Sequence, residues 1–181
     1  MKKMILLLLV VLMGITSMAQ FKNATLQAAG LTCAMCTKAI NKALEQVAFI
    51  QSVKVDIKTS SFLLAFKEGA TVDFDVMKKA VEDAGFSVAK LKVTGVFDKV
   101  EVQNDAHVQI DGKTFHFLNI SKQTLQGEKA ITLVDKDFVS AKEYKKYSAA
   151  TSMACVKTGR AQNCCTKEGI AADTRIYHVT I

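Results

Sequence analysis

Proline and tryptophan are both missing from the 181 residues, where average usage would supply roughly nine prolines. A thioredoxin-type redox centre sets a cis-proline opposite its two cysteines and a tryptophan ahead of them, so these two absences weigh against that chemistry. Blocks of one charge are missing as well. The 24 Lys and Arg residues are spread along the chain and interleaved with acids. The formal charge of +7 therefore reads as a solvated basic surface, and no basic-aromatic pattern points to nucleic acid. Nor is there a Ser/His/Asp order, a paired-carboxylate motif or a phosphate loop. The three histidines fall at His107, His116 and His178; His116 and His178 sit in strand patterns and read as solvent-facing or hydrogen-bonded strand residues. With no catalytic constellation, a non-enzymatic role is expected.

Long apolar runs are absent except at the start. Lys2 and Lys3 precede an unbroken apolar core from Met4 to Met13, and Ser17-Met18-Ala19 places small residues where a signal peptidase reads. The core spans about ten residues, against the roughly 20 that cross a bilayer. The pattern predicts a bacterial-style signal peptide over residues 1–19, cleaved after Ala19, rather than an uncleaved anchor. No cysteine follows that site, which leaves no lipoprotein anchor. The mature chain, Gln20 to Ile181, is expected in the periplasm or secreted, without stable membrane insertion.

Residues 20–95 read as βαββαβ. Ala24–Ala29 is a short strand. From Cys36 to Val47 apolar residues recur at Ile40, Leu44 and Val47, opposite Lys38, Asn41, Lys42 and Glu45, as in an amphipathic helix. Val53, Val55 and Ile57 alternate with Lys54, Asp56 and Lys58. Phe62, Leu64 and Phe66 alternate again after the turn Thr59-Ser60-Ser61. Asp73 can cap a second helix carrying Phe74, Met77, Val81 and Ala84 on one face, and Gly85 is placed to end it. Val88–Val93 closes the pattern as a fourth strand. Two helices on one face of a four-stranded antiparallel sheet is the ferredoxin-like arrangement, an α+β fold.

Residues 96–181 read as a small, mixed, mostly-β domain of unknown role. Strands are expected at Val100–Gln103, His107–Ile110, Thr114–Ile120, Ala130–Val134 and Arg175–Ile181. Asp111-Gly112 marks a hairpin turn between two of them. A helix is expected over Phe138–Tyr147, and a long loop over Thr151–Thr174. An OB-type barrel is one topology these strands allow.

The chemistry concentrates in Gly30-Leu31-Thr32-Cys33-Ala34-Met35-Cys36, between the first strand and the first helix. Thiolates at a helix N-terminus are stabilised by the free N–H groups and dipole there. Two thiolates and no neighbouring His, Asp or Glu suit Cu(I), which accepts near-linear two-coordination, and also Hg(II) or Ag(I). Zn(II) usually takes four ligands and would need them from a partner or a second copy. A two-coordinate exposed ion can be passed on by ligand exchange with an incoming thiol, which suits a carrier or scavenger. The same pair can form a structural disulfide, since exported proteins meet an oxidising environment, or cycle as a dithiol.

Gly30–Cys36, followed by Ile40 and Leu44, and Glu82-Asp83-Ala84-Gly85-Phe86 resemble the heavy-metal-associated domain. That family includes copper chaperones, the N-terminal domains of metal-exporting P-type ATPases and a periplasmic mercury-binding protein. The resemblance covers about 70 residues and includes the order of elements as well as the cysteine pair. It implies Cys33 and Cys36 as the metal ligands on an exposed loop, Phe86 packed beneath that loop, and a metal-efflux protein or transporter domain as exchange partner. Leu31 stands where the family usually has methionine and keeps an apolar anchor. Met35, between the cysteines, is either an exposed apolar loop residue or an auxiliary thioether. Two other readings remain: a periplasmic thiol-disulfide protein, and a partner-docking module whose cysteine pair is structural.

Cys155, Cys164 and Cys165 lie in the polar stretch near the C-terminus, with Met153 close by. Cys155 can pair with Cys164 or Cys165 and staple a loop of about ten residues. Alternatively the three thiolates and Met153 make a second soft-metal site, or receive the ion from Cys33 and Cys36.

Overall fold

The alternating segments of the first half are strands in the computed structural model, which describes residues 20–31 and 33–181. The expected signal peptide, residues 1–19, lies outside the described residues. Strand β1 (Gln20–Ala29) is followed by helix α1 (Ala34–Glu45), β2 (Ile50–Asp56), β3 (Ser61–Phe66), α2 (Phe74–Asp83) and β4 (Ser87–Val102). Their order across the sheet is β2-β3-β1-β4, and every pairing among them is antiparallel. This is the expected βαββαβ, ferredoxin-like arrangement. Ile40 and Leu44 of α1, and Phe74, Met77 and Val81 of α2, are buried against the sheet. Asp73 caps α2 by accepting from the N–H groups of Asp75 and Val76. The helix ends in a left-handed Gly85 (φ +88°). The Gly85 N–H donates to the Glu82 carbonyl and the Phe86 N–H to the Val81 carbonyl, the paired bonds of a Schellman motif.

The second half extends the same sheet. β5 (Ala106–Ile110), β6 (Lys113–Phe117), β7 (Gln123–Leu133) and β8 (Ile176–Thr180) complete an eight-stranded sheet in the order β2-β3-β1-β4-β7-β8-β6-β5. The sheet is open, so the barrel allowed by the strand pattern is not formed. Residues 95 and 96 fall inside β4, which pairs with β1 on one side and β7 on the other. The strands expected at 88–93 and 100–103 are two parts of β4, joined through a bulge against β7 between Phe97 and Val100. Gly95 is what permits this continuity. A Cβ there would lie 3.1 Å from both the Gln20 carbonyl oxygen and the Phe21 ring.

Helix α3 (Ala141–Ser148) begins later than its sequence pattern implies, because the Ser140 hydroxyl accepts from the Glu143 N–H and starts the helix there. Phe138 is buried in the core ahead of it. The stretch expected to be a loop carries two single-turn helices, α4 (Cys155–Thr158) and α5 (Asn163–Thr166).

One aromatic cluster joins the two halves. Phe74 of α2 meets Phe21 of β1 at 5.4 Å between ring centroids, Phe115 of β6 at 6.1 Å and Tyr177 of β8 at 5.0 Å. Phe115 and Tyr177 therefore point to the α2 side. By strand alternation His116, Ile176 and His178 point to the other, where Ile176 packs with Cys155, Ala161 and Cys165. β6 and β8 are thus covered on both faces. Among the described residues no helix is long and apolar enough to cross a membrane.

Candidate metal-binding sites

Cys33 is the N-cap of α1, in extended conformation, and its sulfur accepts from the Cys36 N–H at 3.2 Å. Helix geometry turns the side chains of residues i and i+3 to the same side, and the two sulfurs meet. Cys33 and Cys36 are joined as a disulfide. Leu31 and Phe86 are partly buried against the main core, as anchoring residues would be. Met35 is 73% exposed. Beside the pair runs an open groove of about 640 Å³, lined in part by Leu31, Cys33, Thr37, Val53, Val55 and Ile57. Ile57, 86% exposed, lines it together with Lys38, Asn41 and Asp56.

Residues 25–87 match the heavy-metal-associated domain. Within this domain the chain is similar to a probable copper-exporting P-type ATPase of Archaeoglobus fulgidus, 34% identical over 64 residues. It is similar also to copper-transporting ATPase 1 of Rhizobium meliloti, 36% identical over 66 residues. These alignments cover 35% and 36% of this chain and 8% of each ATPase, so the chain spans only a small part of those relatives. Among solved structures, apo-CopP from Helicobacter pylori is 30% identical, over 37% of this chain and 98% of that one, with a TM-score of 0.32. The family match runs from within β1 to the first residue of β4 and leaves the rest of the sheet unassigned.

The second group of cysteines lies outside this domain. Cys155, Cys164 and Cys165 are all free, so the staple between Cys155 and α5 is not formed. Their three sulfurs lie within 4.8 Å of one another, the two on α5 being 3.5 Å apart. Met153 packs against the same cluster, partly buried. The structure adds two residues that the sequence did not mark as ligands. His107 Nε2 is 3.8 Å and His116 Nδ1 3.7 Å from the Cys155 sulfur.

Each ring has a carboxylate on its far side. His107 Nδ1 lies 2.7 Å from Glu168 and His116 Nε2 lies 2.9 Å from Asp105. His178 continues the row: its Nδ1 lies 2.9 Å from Asp135, its ring centroid is 5.1 Å from that of His116, and its Nε2 is buried with no hydrogen-bond partner. His116 and His178 are fully buried and hydrogen-bonded, not solvent-facing.

Electrostatics follow from burial. Burial first, then repulsion from His178 and His107, pushes the His116 pKa down to about 4 despite Asp105. The ring is neutral at physiological pH. Burial also pushes the Cys155 thiol well above its ordinary range, with Cys165 and Cys164 adding to the shift. One signal for the histidines was present in the sequence. A two-residue turn at Asp111-Gly112, both at positive φ, sets a register in which His107 faces His116. The approach of Cys155 and His178 depends on contacts that no local pattern encodes.

Proposed function

We propose that this protein is an exported, non-catalytic carrier or scavenger of soft metal ions, Cu(I) above all, held between Cys33 and Cys36. The observation that carries this is a cysteine pair at the N-terminus of α1 within a heavy-metal-associated domain. Two sulfurs on one exposed turn match the low coordination of Cu(I), Ag(I) and Hg(II), and a partner must complete the set for Zn(II). The disulfide takes up two electrons and two protons from a dithiol reductant before the pair can bind metal. An incoming thiolate from a metal-efflux protein or transporter domain can then displace one sulfur at a time. The groove beside the pair, with Ile57 exposed among Lys38, Asn41 and Asp56, is where such a domain would rest. The signal-like pattern of residues 1–19 supports exchange in the periplasm or outside the cell.

The test is anaerobic Cu(I) competition against a chromogenic chelator, comparing the reduced protein with Cys33→Ser/Cys36→Ser. The variant is expected to bind one ion fewer per chain. Equal binding would sink the proposal. The disulfide itself favours a second reading, thiol-disulfide exchange. Failure of the reduced protein to reduce insulin would remove that reading.

A further inference from the structure

The three histidines of the chain and three of its five cysteines gather at one place outside the heavy-metal-associated domain. His107 and His116 stand opposite each other on β5 and β6, and α4 brings Cys155 against both. The far nitrogen of each ring faces a carboxylate, which when ionised can only accept hydrogen bonds. Nδ1 of His107 and Nε2 of His116 therefore carry the protons, donated to Glu168 and Asp105. Nε2 of His107 and Nδ1 of His116 then present lone pairs to the same Cys155 sulfur. A thiol has one proton, so it can satisfy one of these nitrogens and leaves the other facing a sulfur lone pair.

A bound cation resolves the conflict: it displaces the thiol proton to solvent, and the thiolate and both ring nitrogens become ligands of one ion. The spacing suits this. Metal bonds of about 2.05 Å to nitrogen and 2.3 Å to sulfur, at a tetrahedral angle, put nitrogen and sulfur about 3.6 Å apart. The observed separations are 3.8 and 3.7 Å. Cys164 and Cys165 group with Cys155 within 4.8 Å but not with the two rings, so a shift of α5 toward the ion would bring one of them in as a fourth ligand. The carboxylates behind the rings supply the outer contacts that orient metal-binding imidazoles.

We propose that His107, His116 and Cys155 form a second metal site for a thiophilic d10 ion, Zn(II) or Cu(I), with Cys164 or Cys165 drawn in from α5 on binding. The site shares no residue with Cys33 and Cys36. β1 and β6 stand four strand spacings apart in the sheet, roughly 19 Å. It therefore does not depend on what the first pair does.

The test uses the full chain carrying Cys33→Ser/Cys36→Ser, reduced and without oxygen, loaded separately with Zn(II), Cu(I) and, as a spectroscopic probe, Co(II). One ion per chain is expected in the Zn(II) or the Cu(I) arm, and the better-retained ion identifies the metal. Co(II) should give a thiolate charge-transfer band and the intense visible bands of a tetrahedral ion. Adding His107→Gln should lower affinity at least 100-fold. Cys155 is buried, and its replacement can disturb folding. Glu168→Gln at a partly exposed side chain is therefore the safer second variant, expected to weaken binding roughly 10- to 100-fold while circular dichroism is unchanged. Absence of bound ion in every arm overturns the proposal, as does binding that neither His107→Gln nor Glu168→Gln alters.

Discussion

Asp75 shows how one side chain ties the two halves together. Arg175 Nε and Nη2 donate to its two oxygens at 2.8 and 3.0 Å, the Tyr177 hydroxyl donates at 3.1 Å, and the guanidinium lies 4.2 Å from the Tyr177 ring. Burial alone would raise the Asp75 pKa, but the hydrogen bonds and charge of Arg175 outweigh it and hold the carboxyl below its ordinary value. As pH falls, the unfolded chain takes up this proton before the folded one does. The stabilisation is complete above the ordinary carboxylate pKa of about 4 and is lost as pH drops through the lower folded value. Asp75→Asn should cost about 1 kcal/mol at pH 7, the partial exposure of the pair screening the rest. Urea midpoints from pH 7 to 2.5 should converge for the two proteins at the acid end, and parallel curves would refute this. Residues of this kind were not legible in the sequence. Asp75 carries no local signal of this role, and its partner comes from 100 residues away.

At the scale of elements, α4 is a single turn whose end places Cys155. Gly159 closes it in the left-handed region at φ +68° and donates its N–H to the Cys155 carbonyl at 2.7 Å. A Cβ on Gly159 would sit 2.7 Å from Arg175 Nη1. Gly159→Ala is therefore expected to lose about 1–2 kcal/mol from backbone strain, with a further loss from displacing Arg175. A thermal unfolding midpoint equal to that of the unchanged protein would refute it. The elements of the first half were readable because each carries its own local signal: period-two alternation, a capping aspartate, a terminating glycine. The long β4 was not, since Gly95 looks like an interruption until β1 is seen lying against it. α4 and α5 have too few residues to show a period at all.

For the whole molecule the expected boundary at residue 95/96 can be tested by unfolding. All three tyrosines, Tyr144, Tyr147 and Tyr177, lie in the second half, so their fluorescence reports on it, while far-ultraviolet circular dichroism reports on both halves. The shared sheet and the Phe21–Phe74–Phe115–Tyr177 cluster predict one coincident urea transition for the two probes. Separate transitions would mean that the halves fold independently. Phe115→Ala should lower stability by about 3–5 kcal/mol and move both probes together. A shift confined to tyrosine fluorescence would contradict a common core.

The sequence by itself determined the βαββαβ half and set Cys33 and Cys36 at a helix start, because capping, periodicity and i,i+3 spacing act between near neighbours in the chain. Only the tertiary structure decided that the second half extends the same sheet and that His107, His116 and Cys155 converge. Those contacts join residues 48 and 39 positions apart, and β8 inserts in parallel beside β6 from the far end of the chain. Pairing at such separations is selected by burial of both sheet faces, a property of the assembled fold that no local stretch of residues carries.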